Sequence, residues 1–162
     1  MKTFLLSSDF CYVLSPNFIN YIFVFFKLDL PKTSYINMTV PEYLSQITSR
    51  YQLGNSTEHT FRVDLNQLIE SIVPAVRATN EPKRQECGAP DYIITKNDIP
   101  VGYVETKNIG DKDLSGLKKS GNKEQFDRYK KSLGNLIFTD YLDFYFYDYD
   151  QFVKKISIAE LN

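Results

Sequence analysis

The chain has 162 residues, 43% of them hydrophobic and 24% charged, with a formal net charge of −1. That is enough length for one domain with a substantial core, and too even a charge for bulk electrostatics to demand or exclude a nucleic-acid partner. Two cysteines, Cys11 and Cys87, and one histidine, His59, exclude a zinc ribbon, a disulfide framework and any multi-histidine metal centre, and they fit a reducing, cytoplasmic setting.

Residues 1–37 differ from the remainder. The run from Phe18 to Phe26 is strongly apolar, but a membrane-spanning helix needs about 20 such residues. A signal peptide needs a small-residue cleavage site, and Lys27 to Pro31 offers none. A membrane role is therefore not expected, and a membrane-associated protein using this apolar stretch stands as the third reading. Residues 1–37 are read as an apolar extension, either an accessory helix or the product of an upstream start codon with Met38 as native start, and residues 38–162 as the domain.

From Met38 the pattern is that of a folded α/β protein. Thr39 caps a helix with Pro41 in its first turn, and Tyr43, Leu44, Ile47 and Tyr51 recur at helical spacing until Gly54. Ser56 or Thr57 caps a second helix, whose stripe of Phe61, Leu65, Leu68, Ile69 and Ile72 ends at Pro74. Glu58, in the first turn, serves either as a favourable charge at the positive helix end or as a carboxylate for a site. His59 is read as a surface group. Residues 80–87 are expected to form a turn and a short polar strand, with Lys83 and Arg84 decorating its edge.

The centre of the chain runs from Gly88 to Lys107. Apolar residues Tyr92 to Thr95 lead into the turn-forming Asn97-Asp98, and Val101 to Val104 carry the chain back, which predicts a hairpin. Alternation puts Glu105 and Lys107 on one side of the sheet, and the start of the first strand, at Asp91, beside the end of the second. Two carboxylates and an ammonium thus converge. Such a site suits magnesium, which takes oxygen ligands and is commonly held by one or two carboxylates with several waters. A metal-activated water beside a lysine is the chemistry of phosphodiester hydrolysis.

After a turn-rich loop, a helix is expected from near Asn122, with Phe126, Tyr129 and Leu133 inward, Gln125 and Tyr129 one turn apart, and Gly134 as its stop. From Lys107 to Lys131 eight basic residues face four acidic ones. This is either a phosphate-facing surface, with Lys118, Lys119, Lys123 and Arg128 as its DNA-contacting cations, or a solvated helix and loop. Residues 135–140 and 142–147 read as two strands; Asp140, Asp143, Asp148 and Asp150 are expected on an exposed face. Residues 152–161 are expected to form a short strand and a tail.

Pro90-Asp91 and Glu105-Thr106-Lys107, separated by a hairpin, resemble the signature of the PD-(D/E)XK nuclease superfamily. The run from Thr57 to Arg62 through Gly88 to Asp91, Gly102 to Lys107, Gln125 to Tyr129 and Asn135 to Tyr141 is similar to one group within it. These are the amino-terminal nuclease regions of fused restriction endonuclease/adenine methyltransferase enzymes. The resemblance implies a restriction-endonuclease-like α/β core, a central mixed sheet flanked by helices, and Mg-dependent endodeoxyribonuclease activity in a restriction-modification system. It implies magnesium, with manganese able to substitute, held by Asp91, Glu105 and the main-chain carbonyl of Thr106, with Glu58 as a further carboxylate. Lys107 would position the attacking water, steadied by Gln125 and Tyr129. DNA is the implied partner, with a methyltransferase or target-recognition part supplied by another chain or lost. The alternative is a catalytically silent DNA-binding or assembly module that keeps the fold.

Overall fold

A computed structural model of the chain describes residues 4–6, 38–73, 75–83, 88–111, 113–114 and 123–161. Cys11, Arg84, Cys87, Lys118, Lys119 and the apolar run at residues 18–26 lie outside them.

Helix α1 (Val40–Gln52) starts at a capping box in which the Thr39 amide donates to Glu42 at 2.9 Å and Thr39 Oγ1 accepts from the Glu42 amide at 3.4 Å. It buries Tyr43, Leu44 and Ile47. The second helical stretch begins differently from expectation. Thr57 leads into a tight 3-10 turn (Glu58–Phe61), because the Thr60 hydroxyl accepts from the Thr57 amide at 2.9 Å, and α2 (Arg62–Ile72) begins only after it. Its apolar stripe is buried as the spacing requires, with Leu65 and Leu68 almost fully enclosed. Each such side chain contributes about 1.5–3 kcal/mol.

The six-stranded sheet is ordered β2 (Val76–Asn80), β3 (Tyr92–Lys96), β4 (Ile99–Thr106), β5 (Leu136–Thr139), β6 (Asp143–Asp148), β7 (Gln151–Ser157). Only β4 and β5 are parallel, so the sheet is mixed. The hairpin β3–β4 turns at Asn97 and Asp98, both left-handed with φ of 50° and 63°, as a two-residue hairpin loop requires. A strand at residues 76–80 precedes the turn and strand expected at 80–87, of which residues 84–87 lie outside the described ones. Glu81 turns left-handed (φ 48°) and Pro82 lacks the amide needed to continue the ladder.

At the other end, the expected short strand and tail is two strands. The long edge strand β7 precedes β8 (Ala159–Leu161), which pairs antiparallel with β1 (Phe4–Leu6). Asp140 also departs from expectation. Instead of lying on an exposed face it is buried, accepting from the amides of Gly110, Leu142 and Asp143.

The sheet separates two apolar clusters. Helices α1 and α2 pack on one face against Tyr92, Ile94, Val104, Ile137, Phe144 and Phe146. Helix α3 (Lys123–Ser132) covers the other, where Phe126 stacks on Phe138 with ring centroids 4.0 Å apart. Alternation along β4 therefore sends Val104 to the α1/α2 side and Glu105 to the α3 side. The left-handed residue after α3 is Asn135 (φ 50°), not Gly134.

Candidate active site

The candidate site lies at the carboxyl end of β4. The antiparallel register opposes Tyr92 to Val104, so the residue before Tyr92 lies beside the residues after Val104. Asp91 Oδ2 accepts from the Thr106 amide at 2.8 Å and from the Thr106 hydroxyl at 2.7 Å. Its other oxygen, Oδ1, accepts from Arg62 Nη2 at 2.6 Å. Both oxygens are thus fixed: Thr106 takes both lone-pair sites of Oδ2, and Oδ1 keeps one for a cation.

Glu105 lies on the α3 side and is only 3% exposed. Its Oε1 accepts from Lys107 Nζ at 2.7 Å and from Gln125 Nε2 at 2.9 Å. Gln125 also reaches the Tyr129 hydroxyl at 3.3 Å, one turn along α3. The second oxygen, Oε2, is buried without a hydrogen-bond partner. Burial, followed by the nearby charge of Asp91, pushes the Glu105 carboxyl up to about 7, against the pull of Lys107.

An orphaned buried carboxylate oxygen is costly in isolation and suits a bound cation. Among the described residues, no three His, Cys, Asp or Glu side chains are grouped to share one ion. The site offers the carboxylates of Asp91 and Glu105, and magnesium is commonly held by one or two carboxylates while keeping several waters.

Asp91, Glu105, Thr106, Lys107, Gln125 and Tyr129 are brought together. Glu58 is also near, but its Oε1 accepts from Arg62 Nη2 at 2.9 Å. It joins Asp91 through that guanidinium and is not part of a three-carboxylate cluster. His59 projects to the surface, its side chain 67% exposed. On α3, Lys123 pairs with Asp127 at 2.6 Å, while the exposed Arg128 lies over the Tyr129 ring at 5.6 Å from its centroid.

Sequence reasoning missed Arg62 as a site residue. Its side chain is 7% exposed and bonds Glu58, Glu81 and Asp91, and its carbonyl accepts from the Tyr92 hydroxyl at 2.6 Å. Burial works against its charge, but Asp91 and Glu58 outweigh that and hold the guanidinium above its ordinary range. The available signal was the Glu58-to-Arg62 spacing of four residues. Nothing local reveals that Asp91, 29 residues further on, shares the same nitrogen.

No protein-family profile and no curated protein matches the chain. Among solved structures, a chain of the cryo-EM structure of a DrdV–DNA complex is similar. The TM-score is 0.58 over 73% of this chain and 84% of that one, at 17% identity. A likeness at that identity is one of fold: a restriction-endonuclease-like α/β core, with a mixed six-stranded sheet flanked by three helices among the described residues. No described helix is long and apolar enough to cross a membrane.

Proposed function

We infer that the chain is a magnesium-dependent endodeoxyribonuclease, the cleavage domain of a restriction-modification system. The observation that carries this reading is the free, buried Oε2 of Glu105, next to Asp91 and with Lys107 and Gln125 on its other oxygen. The residues that would hold magnesium or manganese are Asp91, Glu105 and the Thr106 carbonyl. Bound there, the ion would lower the pKa of a water and offset charge on a phosphate.

The chain's own residues do the remainder. Thr106 and Arg62 aim the Asp91 carboxylate from both sides. Gln125 fixes Glu105 Oε1, which leaves Oε2 as the oxygen presented to a ligand. The Lys107 ammonium, 2.7 Å from Glu105, orients the attacking water and donates to the phosphate oxygens. Arg128 and Lys123 on α3, with Lys118 and Lys119 before it, supply charge for the DNA backbone. The similar fold of a protein seen bound to DNA supports DNA as the substrate. Target recognition would be the task of a methyltransferase or target-recognition part, in the cytoplasm.

The test is nicking of supercoiled plasmid by the full chain in magnesium or manganese. Asp91→Ala and Lys107→Ala are expected to reduce it by on the order of 10²- to 10³-fold or more, with the far-ultraviolet spectrum unchanged. A folded wild-type chain that binds DNA without metal, equally well as Asp91→Ala, and cuts nothing would replace this reading with the silent binding module.

A further inference from the structure

Three carboxylates converge on one buried guanidinium. Arg62 Nη2 is shared by Glu58 Oε1 at 2.9 Å and Asp91 Oδ1 at 2.6 Å, and Nη1 donates to Glu81 Oε1 at 3.0 Å. Glu58 and Arg62 lie one turn apart, and Glu81 is delivered by the backbone bond from its own amide to the Asp91 carbonyl at 2.8 Å. Asp91 therefore stands between two places where positive charge belongs: the orphaned oxygen of Glu105 on one side and the Glu58–Glu81 pair on the other. Two metal ions a few ångströms apart, sharing a bridging carboxylate, are a common arrangement for phosphoester hydrolysis. Here the second place is filled by a side chain.

We propose that Arg62 is a tethered cation that occupies the position of a second ion and limits this site to one divalent metal. The inference rests on the metal reading of Asp91 and Glu105 given above. Arg62 is a positioning residue in this scheme: it acts through Asp91. Its permanent charge makes it a cation that neither pH nor chelator removes. It keeps Asp91 oriented without an ion, and it accounts for Glu58 bonding to the guanidinium.

The experiment counts bound Mn2+ by calorimetry and by electron paramagnetic resonance, with no substrate present. The wild type is expected to bind one ion, lost in Asp91→Ala. Arg62→Met is expected to bind two, and Arg62→Met with Glu58→Gln to return to one. One ion in both wild type and Arg62→Met, or two in the wild type, overturns the proposal and leaves the metal reading standing. No ion in the wild type and one in Arg62→Met supports the tethered cation and sinks the metal reading; none in either sinks both.

Should Arg62→Met not fold, Glu58→Gln decides, since Arg62 is retained. Retention of one ion, weakened by no more than the roughly 10- to 100-fold that loss of an outer-shell partner costs, supports the proposal, whereas loss of the ion altogether, as in Asp91→Ala, makes Glu58 a ligand and overturns it.

Discussion

At the scale of single residues, the Glu105 carboxyl couples the site to pH. It is pushed from 4.5 up to about 7, first by burial and then by Asp91. In the metal-free protein, folded and unfolded chains both hold this proton below about pH 4.5. Between there and about 7 the folded chain keeps a proton that the unfolded chain has released, so stability falls as pH rises through that window. The loss reaches on the order of 3 kcal/mol. Asp140, raised by its own burial, adds a slope of the same sign, so the diagnostic quantity is the difference from Glu105→Gln. Melting the metal-free pair at pH 5 and 7.5 should show a shallower pH dependence in the variant, which becomes the more stable of the two at pH 7.5. Equal slopes would place the titration elsewhere. Magnesium should flatten the wild-type slope and leave that of Glu105→Gln unchanged.

At the scale of elements, the loop before β3 and helix α3 have to fit each other. Gly88 has φ +126°, a conformation open to glycine, and a Cβ there would lie 3.0 Å from Tyr129 Cε1 and 3.1 Å from its hydroxyl. Gly88→Ala is therefore expected to cost about 1–3 kcal/mol and to push Tyr129 away from Gln125. Cleavage should fall more than melting temperature explains, while Gly54→Ala, with open space around it, should lower stability alone. Similar activity loss in both would mean that the Gly88–Tyr129 approach does nothing for the site.

The same stretch of α3 carries Arg128, whose Nη2 would stand 3.5 Å from a Cβ at Gly88. If it contacts a phosphate, Arg128→Ala should reduce the slope of log binding constant against log salt by about 0.9. An unchanged slope would leave Arg128 a surface cation.

The site pairings that were legible in the sequence are those carried by short-range geometry. Glu105 and Lys107 are two apart on a strand, Gln125 and Tyr129 four apart on a helix, and Asp91 meets them through a hairpin whose turn is written in Asn97-Asp98. Arg62 was not legible because its function is a meeting of residues 58, 62, 81 and 91 across three segments. Asp140 was misjudged for a similar reason: its partners are backbone amides, one of them 30 residues away at Gly110, and a sequence carries no mark for an amide in need of an acceptor.

At the scale of the molecule, helix order and the hairpin were legible from periodicity, but the limits of the sheet were not. The pairing of β8 with β1 joins opposite ends of the chain, which no local pattern encodes. That pairing bears on how far the domain extends. Among the described residues, β1 contributes a three-residue ladder to β8.

If the domain begins at Met38, removing residues 1–37 is expected to forfeit little more than that short ladder, on the order of 1–2 kcal/mol, and to lower the melting temperature by about 5 °C. Cooperative unfolding and metal-dependent stabilisation should remain. Ile158 and Ala159 still pack in the larger cluster, and the Ile158 amide still donates to the Leu142 carbonyl, so β8 keeps its place without its partner. A truncated chain that melts without cooperativity would mean that the first 37 residues belong to the core, and the domain would then extend to the whole chain.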